Sequence, residues 1–75
     1  MQFKTFKAWS EVRAAAHASV ALWYHAPMDL LPCRIRVIRV FKNGKIRITT
    51  WSHDMTFTAD EKHLDRFRAM ESANA

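Results

Sequence analysis

A chain of 75 residues, 49% hydrophobic and 25% charged, has the apolar content of a folded domain and excludes a disordered tail. It also excludes two cores, because folding hides only about 60% of the surface that so short a chain exposes. The net charge of +5 is local: the segment between Leu30 and His53 has six cations and no carboxylate, while the rest has six cations and seven acids. A concentration of that kind is the electrostatic mark of a patch.

The single cysteine, Cys33, rules out an internal disulfide framework and favours a reducing compartment, so a cytoplasmic protein is expected. The longest apolar run, Ala14 to Trp23, contains His17 and Ser19 and falls well short of the roughly 18 residues of a membrane span. No membrane partner is expected. Lys4 and Lys7 ahead of the alanine-rich stretch give the N-terminus the look of a targeting peptide, but Glu11 and Arg13 interrupt its apolar part.

In chain order, Thr5 is placed to cap a first helix over about 6–18, with Trp9, Val12, Ala16 and Val20 as its apolar stripe. Val20, Leu22 and Tyr24 also alternate with Ala21, Trp23 and His25, so a strand over about 20–25 competes for the end of that stripe. Pro27 and Pro32 bracket a loop. Strands over about 34–42 and 45–51 then flank Asn43-Gly44, whose residue types suit a two-residue type I′ turn. That turn pairs Lys42 with Lys45, Phe41 with Ile46, Val40 with Arg47, Arg39 with Ile48 and Arg36 with Trp51. Ile35, Val37, Phe41, Ile46 and Ile48 share one face, with Arg39 as a misfit. Arg34, Arg36, Lys42, Lys45, Arg47, Thr49 and Trp51 share the other, with Ile38 and Val40 among them.

A third strand of this group, over about 55–58, follows the Ser52-His53-Asp54 turn. A C-terminal helix over about 61–70 is expected next, capped by Thr58 or Asp60 and striped by Leu64, Phe67 and Met70. Its acids, Asp60 and Glu61, come early and Arg66 and Arg68 late, as the helix dipole prefers. The last five residues are expected to fray.

A strand, a proline-bounded loop, a long hairpin turning within Val40 to Ile46, a shorter strand and a terminal helical turn, spanning Val20 to Arg68, resemble a small Src-homology-3-like barrel of the KOW or Tudor kind. The resemblance covers about two thirds of the chain and lies in element order. It implies a non-catalytic module that binds nucleic acid, ribosomal or polymerase complexes, or peptides. No aromatic-cage signature stands at matching positions, so no binding residue is carried over from it. The leading helix departs from a minimal barrel and can equally lie across an open sheet. The expected class is therefore α+β in one domain, 1–75, with an N-terminal helix packed on a small antiparallel sheet or Src-homology-3-like barrel and a short C-terminal helix.

Catalytic chemistry finds no foothold. Gly44 is the only glycine, which excludes a glycine-rich phosphate loop. His17, His25, His53, His63 and Cys33 form none of the spacings that hold a metal, so neither metal nor cofactor is expected. Ser52, His53 and Asp54 are adjacent in a tight turn and cannot point into one another as a hydrolytic triad does. What remains is a binding surface. Arg34, Arg36, Lys42, Lys45, Arg47 and Trp51 combine cations that hold phosphates with an indole on which a base or a side chain can stack, and Lys42 facing Lys45 is mildly repulsive without an anion between them. The plainer alternative is a solvated sheet face on which Trp51 rests against arginine stems.

Two functions from different classes follow. One is a small basic module docking on nucleic acid or a nucleoprotein complex through those six residues. The other is an inhibitor of the kind that phages and mobile elements encode, including anti-CRISPR-type proteins, binding a host protein complex through the same patch or through Met28, Leu30, Leu31, Ile38 and Val40. A homodimer pairing exposed strand edges is a third arrangement.

Overall fold

The computed structural model describes residues 2–51 and 55–71. Strands β1 (Phe3–Lys4), β2 (Leu22–Tyr24), β3 (Cys33–Val40), β4 (Ile46–Thr50), β5 (Thr56–Ala59) and β6 (Phe67–Met70) form a six-stranded antiparallel sheet in the order β1-β6-β2-β3-β4-β5. Helix α1 (Trp9–His17) lies between β1 and β2 in sequence, and a 3-10 helix (Glu61–Arg66) leads directly into β6. No helix among the described residues is long and apolar enough to cross a membrane.

Helix α1 starts later than the expected residue 6, and Thr5 does not cap it. Ala8 is its N-cap, and the Glu11 carboxylate reaches back to accept the backbone N–H groups of Lys7 and Ala8 at 2.9 and 3.2 Å, which satisfies two donors that the chain leaves free there. At the other end Ser19 takes φ +58°, and the N–H groups of Ser19 and Val20 bond to the carbonyls of Ala16 and Ala15 at 3.2 and 2.9 Å. This is a Schellman closure with serine at the left-handed position. It ends the helix before Val20, which is exposed and joins neither the helix nor β2.

Trp9, Val12 and Ala16 bury one side of α1 in a single cluster with Leu22 and Tyr24 of β2, Ile35 of β3, Ile46 and Ile48 of β4, Ala59 of β5, and Phe67 and Ala69 of β6. The Trp9 ring meets Phe67 edge to face at 5.4 Å between centroids, and Tyr24 meets Phe67 and Phe57 at 5.6 and 5.0 Å in the same manner. Arg66 Nη1 donates to the Tyr24 hydroxyl at 3.1 Å, and that bond holds the guanidinium above its ordinary pKa. Two polar links join α1 to the hairpin turn: Trp9 Nε1 donates to the Gly44 carbonyl, and Arg13 Nη2 to the Phe41 carbonyl at 3.1 Å.

The turn is one residue longer than its Asn-Gly pair suggests. Phe41 N–H bonds to the Lys45 carbonyl at 2.8 Å and Gly44 N–H to the Phe41 carbonyl at 3.2 Å, so Lys42, Asn43 and Gly44 make a three-residue loop. Gly44 alone takes a left-handed φ, +97°, where the type I′ turn needs two such residues, and Asn43 Oδ1 accepts the Lys45 N–H at 3.1 Å. Val40 therefore pairs with Ile46 rather than with Arg47. A bulge between Val37 and Arg39 shifts the register again, so Val37 faces Ile48, Arg36 faces Thr49 and Ile35 faces Thr50. The expected pairs Arg39 with Ile48 and Arg36 with Trp51 are thereby corrected. The bulge also removes the misfit, because Arg39 moves to the face away from the core and Val40 joins the partly buried residues against it.

The C-terminal helix over 61–70 is corrected too. Its first part is the 3-10 helix, started by Asp60, whose carboxylate accepts the Lys62 N–H at 3.2 Å. From Phe67 the chain extends: Phe67 and Ala69 are buried while Arg68 and Met70 are half-buried, which is the period of a strand. The reason is tertiary. β1 and β2 leave a gap that an extended segment fills with two ladders, Phe3 with Met70 and Lys4 with Ala69 on one side, Trp23 with Arg68 and Tyr24 with Phe67 on the other. Those pairings override local helix preference. The Ser52-His53-Asp54 turn and residues 72–75 lie outside the described residues.

The two left-handed positions predict opposite substitution effects. A non-glycine residue there costs about 1–2 kcal/mol, and glycine's extra chain entropy returns part of that. Ser19→Gly is expected to raise unfolding free energy in urea by about 0.5–1 kcal/mol. Gly44→Ala is expected to lower it by about 1 kcal/mol through backbone strain alone, since a Cβ at Gly44 meets no atom within 4 Å. Equal and unchanged midpoints for both variants would contradict these backbone assignments.

Candidate functional site

The core-facing side of β2 and β3 uses Leu22, Tyr24, Cys33, Ile35 and Val37, so alternation turns Trp23, Arg34 and Arg36 to the opposite face. On β6 and β4 the same alternation adds Arg68, Arg47 and Thr49. With Arg39 brought over by the bulge, five arginines from three strands share this face. Trp23 stands directly between Arg68 and Arg34 on its neighbouring strands. Trp51, just past β4, donates its backbone N–H to the Arg34 carbonyl at 3.0 Å and so continues that row.

The guanidinium groups lie beside aromatic rings. Arg34 sits 5.2 Å from the centroid of Trp23, Arg36 5.4 Å from Trp51 and Arg39 5.3 Å from Phe41, all within the range of a cation–π contact. Phe3 of β1 meets Trp23 edge to face at 5.2 Å. Trp51 is 63% exposed, so much of its indole is open to a ligand. Thr49 lies between Arg36 and Thr56 on adjacent strands and shares a hydrogen bond with the Thr56 hydroxyl at 2.9 Å, tying β4 to β5 on this side.

Arg39 and Arg47 face each other directly across β3 and β4. Like charges in that position destabilise a sheet. Carboxylates do not offset the repulsion among the described residues, where Asp60 with His63, at 3.4 Å, is the one acid–base contact. Glu11 and Asp60 are engaged at helix starts, and Asp29 accepts from the Cys33 thiol at 3.6 Å.

Of the six residues singled out in the sequence, Arg34, Arg36, Arg47 and Trp51 come together on this face. Lys42 and Lys45 stand apart, exposed at the turn, and Lys45 borders a hollow that Asp60 and Glu61 also line. Trp23, Arg39, Arg68 and Phe3 were not among the six. The alternation of Trp23 with Leu22 and Tyr24 was visible, but the bulge, β6 and the two-residue β1 left no comparable signal. No three His, Cys, Asp or Glu residues gather to hold a metal ion among the described residues. Comparison with protein-family models, curated proteins and solved structures finds no match to the chain.

A positive potential around an open indole has a spectroscopic consequence. Relative to free N-acetyltryptophanamide, the ratio of iodide to caesium quenching of the exposed tryptophan emission is expected to be about twofold higher at equal ionic strength. Arg36→Ala should narrow that ratio and Trp51→Phe should remove most of the quenchable signal. An iodide-to-caesium ratio equal to that of the free amide would show that the face lacks the potential.

Proposed function

We propose that the chain is a non-catalytic basic module that docks on nucleic acid or a nucleoprotein complex through the arginine-rich face of its sheet. Helix α1 lies over the other side in this view, giving a helix-on-sheet α+β fold, and the likeness to small Src-homology-3-like modules agrees with a binding role. The observation that carries the proposal is the Arg39–Arg47 pair. Two cations held opposite one another cost stability in the free protein, and a phosphate placed between them turns that repulsion into attraction. The flanking Arg34, Arg36 and Arg68, with two indoles beside them, extend the same surface.

Binding of labelled DNA and RNA, followed by fluorescence anisotropy at rising salt, tests this. Three or four phosphate contacts give a slope of log affinity against log salt of about −3. Arg36→Glu combined with Arg47→Glu is expected to weaken binding more than tenfold, with the circular dichroism spectrum unchanged because both side chains are exposed. Failure to bind either nucleic acid at low ionic strength would end the proposal.

A second function has its own support. Met28 and Leu30 are 93% and 95% exposed in the loop before β3, and Leu31 is exposed beside them. Such residues suit a protein-binding inhibitor of the phage or anti-CRISPR type, seated on a host complex. Pull-down from host lysate with and without nuclease separates the two: one protein complex retained after nuclease favours the inhibitor, and loss of all partners favours nucleic acid.

A further inference from the structure

We infer that the ligand of the arginine-rich face is single-stranded nucleic acid, with Trp23 and Trp51 as two stacking platforms and Arg34 between them for the intervening phosphate. The inference rests on the nucleic-acid function proposed above and narrows it to one class of ligand.

The placement of the two indoles comes first. Trp23 pairs with Arg34, and the Trp51 backbone N–H donates to the Arg34 carbonyl from the far side. The backbone positions of the two tryptophans therefore flank one arginine at two strand spacings, about 10 Å. Neither is needed to fill the core, which is built from the opposite side of the sheet. An indole gains from a nucleic acid only where a base offers its face. In a duplex those faces are covered by neighbouring bases, whereas a single strand can turn them out onto a protein surface.

Among the described residues, moreover, no element is suited to a duplex groove. A major groove about 12 Å wide admits a helix or a two-stranded ribbon, while this sheet has six strands and curls so far that Tyr24 of β2 meets Phe57 of β5 on its inner side. The available helix buries Trp9, Val12 and Ala16 in the core. The β3–β4 hairpin is held at its turn by Trp9 and Arg13, so it does not project as a free ribbon. A broad face with spaced rings and cations fits an extended strand lying across it. Charge complementarity fixes the polarity of the ligand, and the paired rings fix the need for unstacked bases.

The full chain would be titrated by anisotropy at low salt with four labelled probes of about twelve units: oligo(dT), oligo(U), a mixed-sequence DNA duplex, and an abasic deoxyribose-phosphate strand with the same charges and no bases. The single strands are expected to bind at least about tenfold more tightly than the duplex or the abasic strand. Trp51→Ala and Trp23→Ala should each weaken single-strand binding by about fivefold to a hundredfold, and should change duplex binding by less than about twofold. Trp23 also touches Phe3, so Trp23→Ala is paired with a measurement on the unmodified chain, where bound bases should quench exposed indole emission and Trp51→Phe should remove most of that quench. Equal affinity for duplex or abasic strand, or single-strand binding indifferent to both tryptophans, would overturn the single-strand assignment and leave the nucleic-acid function standing. An absence of binding to all four probes would overturn both.

Discussion

The structure depends on a shortage of cover. Helix α1, at nine residues, is about 13 Å long, and its Trp9, Val12 and Ala16 share one buried cluster with residues of β2 to β6. So short a helix leaves much of the sheet without cover, and Trp9 is its anchor. Its ring fills the space against Phe67 while its N–H holds the Gly44 carbonyl, so a single side chain ties the helix to the last strand and to the hairpin turn. Arg13 adds a second tie through the Phe41 carbonyl. The side left uncovered must then be made of groups that tolerate water. Arginine does so while its stem lies along the sheet, which explains how rings as large as Trp23 and Trp51 can stand there beside guanidinium groups.

The sorting of side chains was largely legible. Ile35, Val37, Ile46 and Ile48 alternate with cations, and a change of register by two residues preserves which side each faces, so Arg36 still lies near Trp51 although it no longer pairs with it. The register itself was not legible. Asn-Gly serves a two-residue loop, yet the same glycine also serves as the left-handed third residue of a longer one, and the carbonyls held by α1 belong to the longer form. Arg39 carried the clue. Its position on the apolar side of an unbroken ladder was a conflict, and the bulge is the resolution.

The C-terminal segment was misread for a different reason. Leu64, Phe67 and Met70 sit at helical spacing, while Phe67 and Ala69 sit at strand spacing, and four residues are too few for either period to prevail locally. The decision came from β1 and β2, elements of two and three residues that have little strength alone. Arg68 entered the site as a result, beside Trp23, a neighbour more than forty positions away in sequence. Acidic residues meanwhile gather at helix starts and loops, where they answer unpaired N–H groups, so the positive charge of the sheet stays undiluted by the described carboxylates.

The place of β6 in the sheet governs the order in which the molecule can be assembled. During synthesis β2, β3, β4 and β5 can associate as they emerge, but β1 must wait for β6, its partner, more than sixty residues further along. Until then Trp9 lacks Phe67 and the core stays open along one border. Closing it joins segments more than sixty residues apart, a long-range contact that slows folding and leaves an unfinished strand border available to other chains in the meantime.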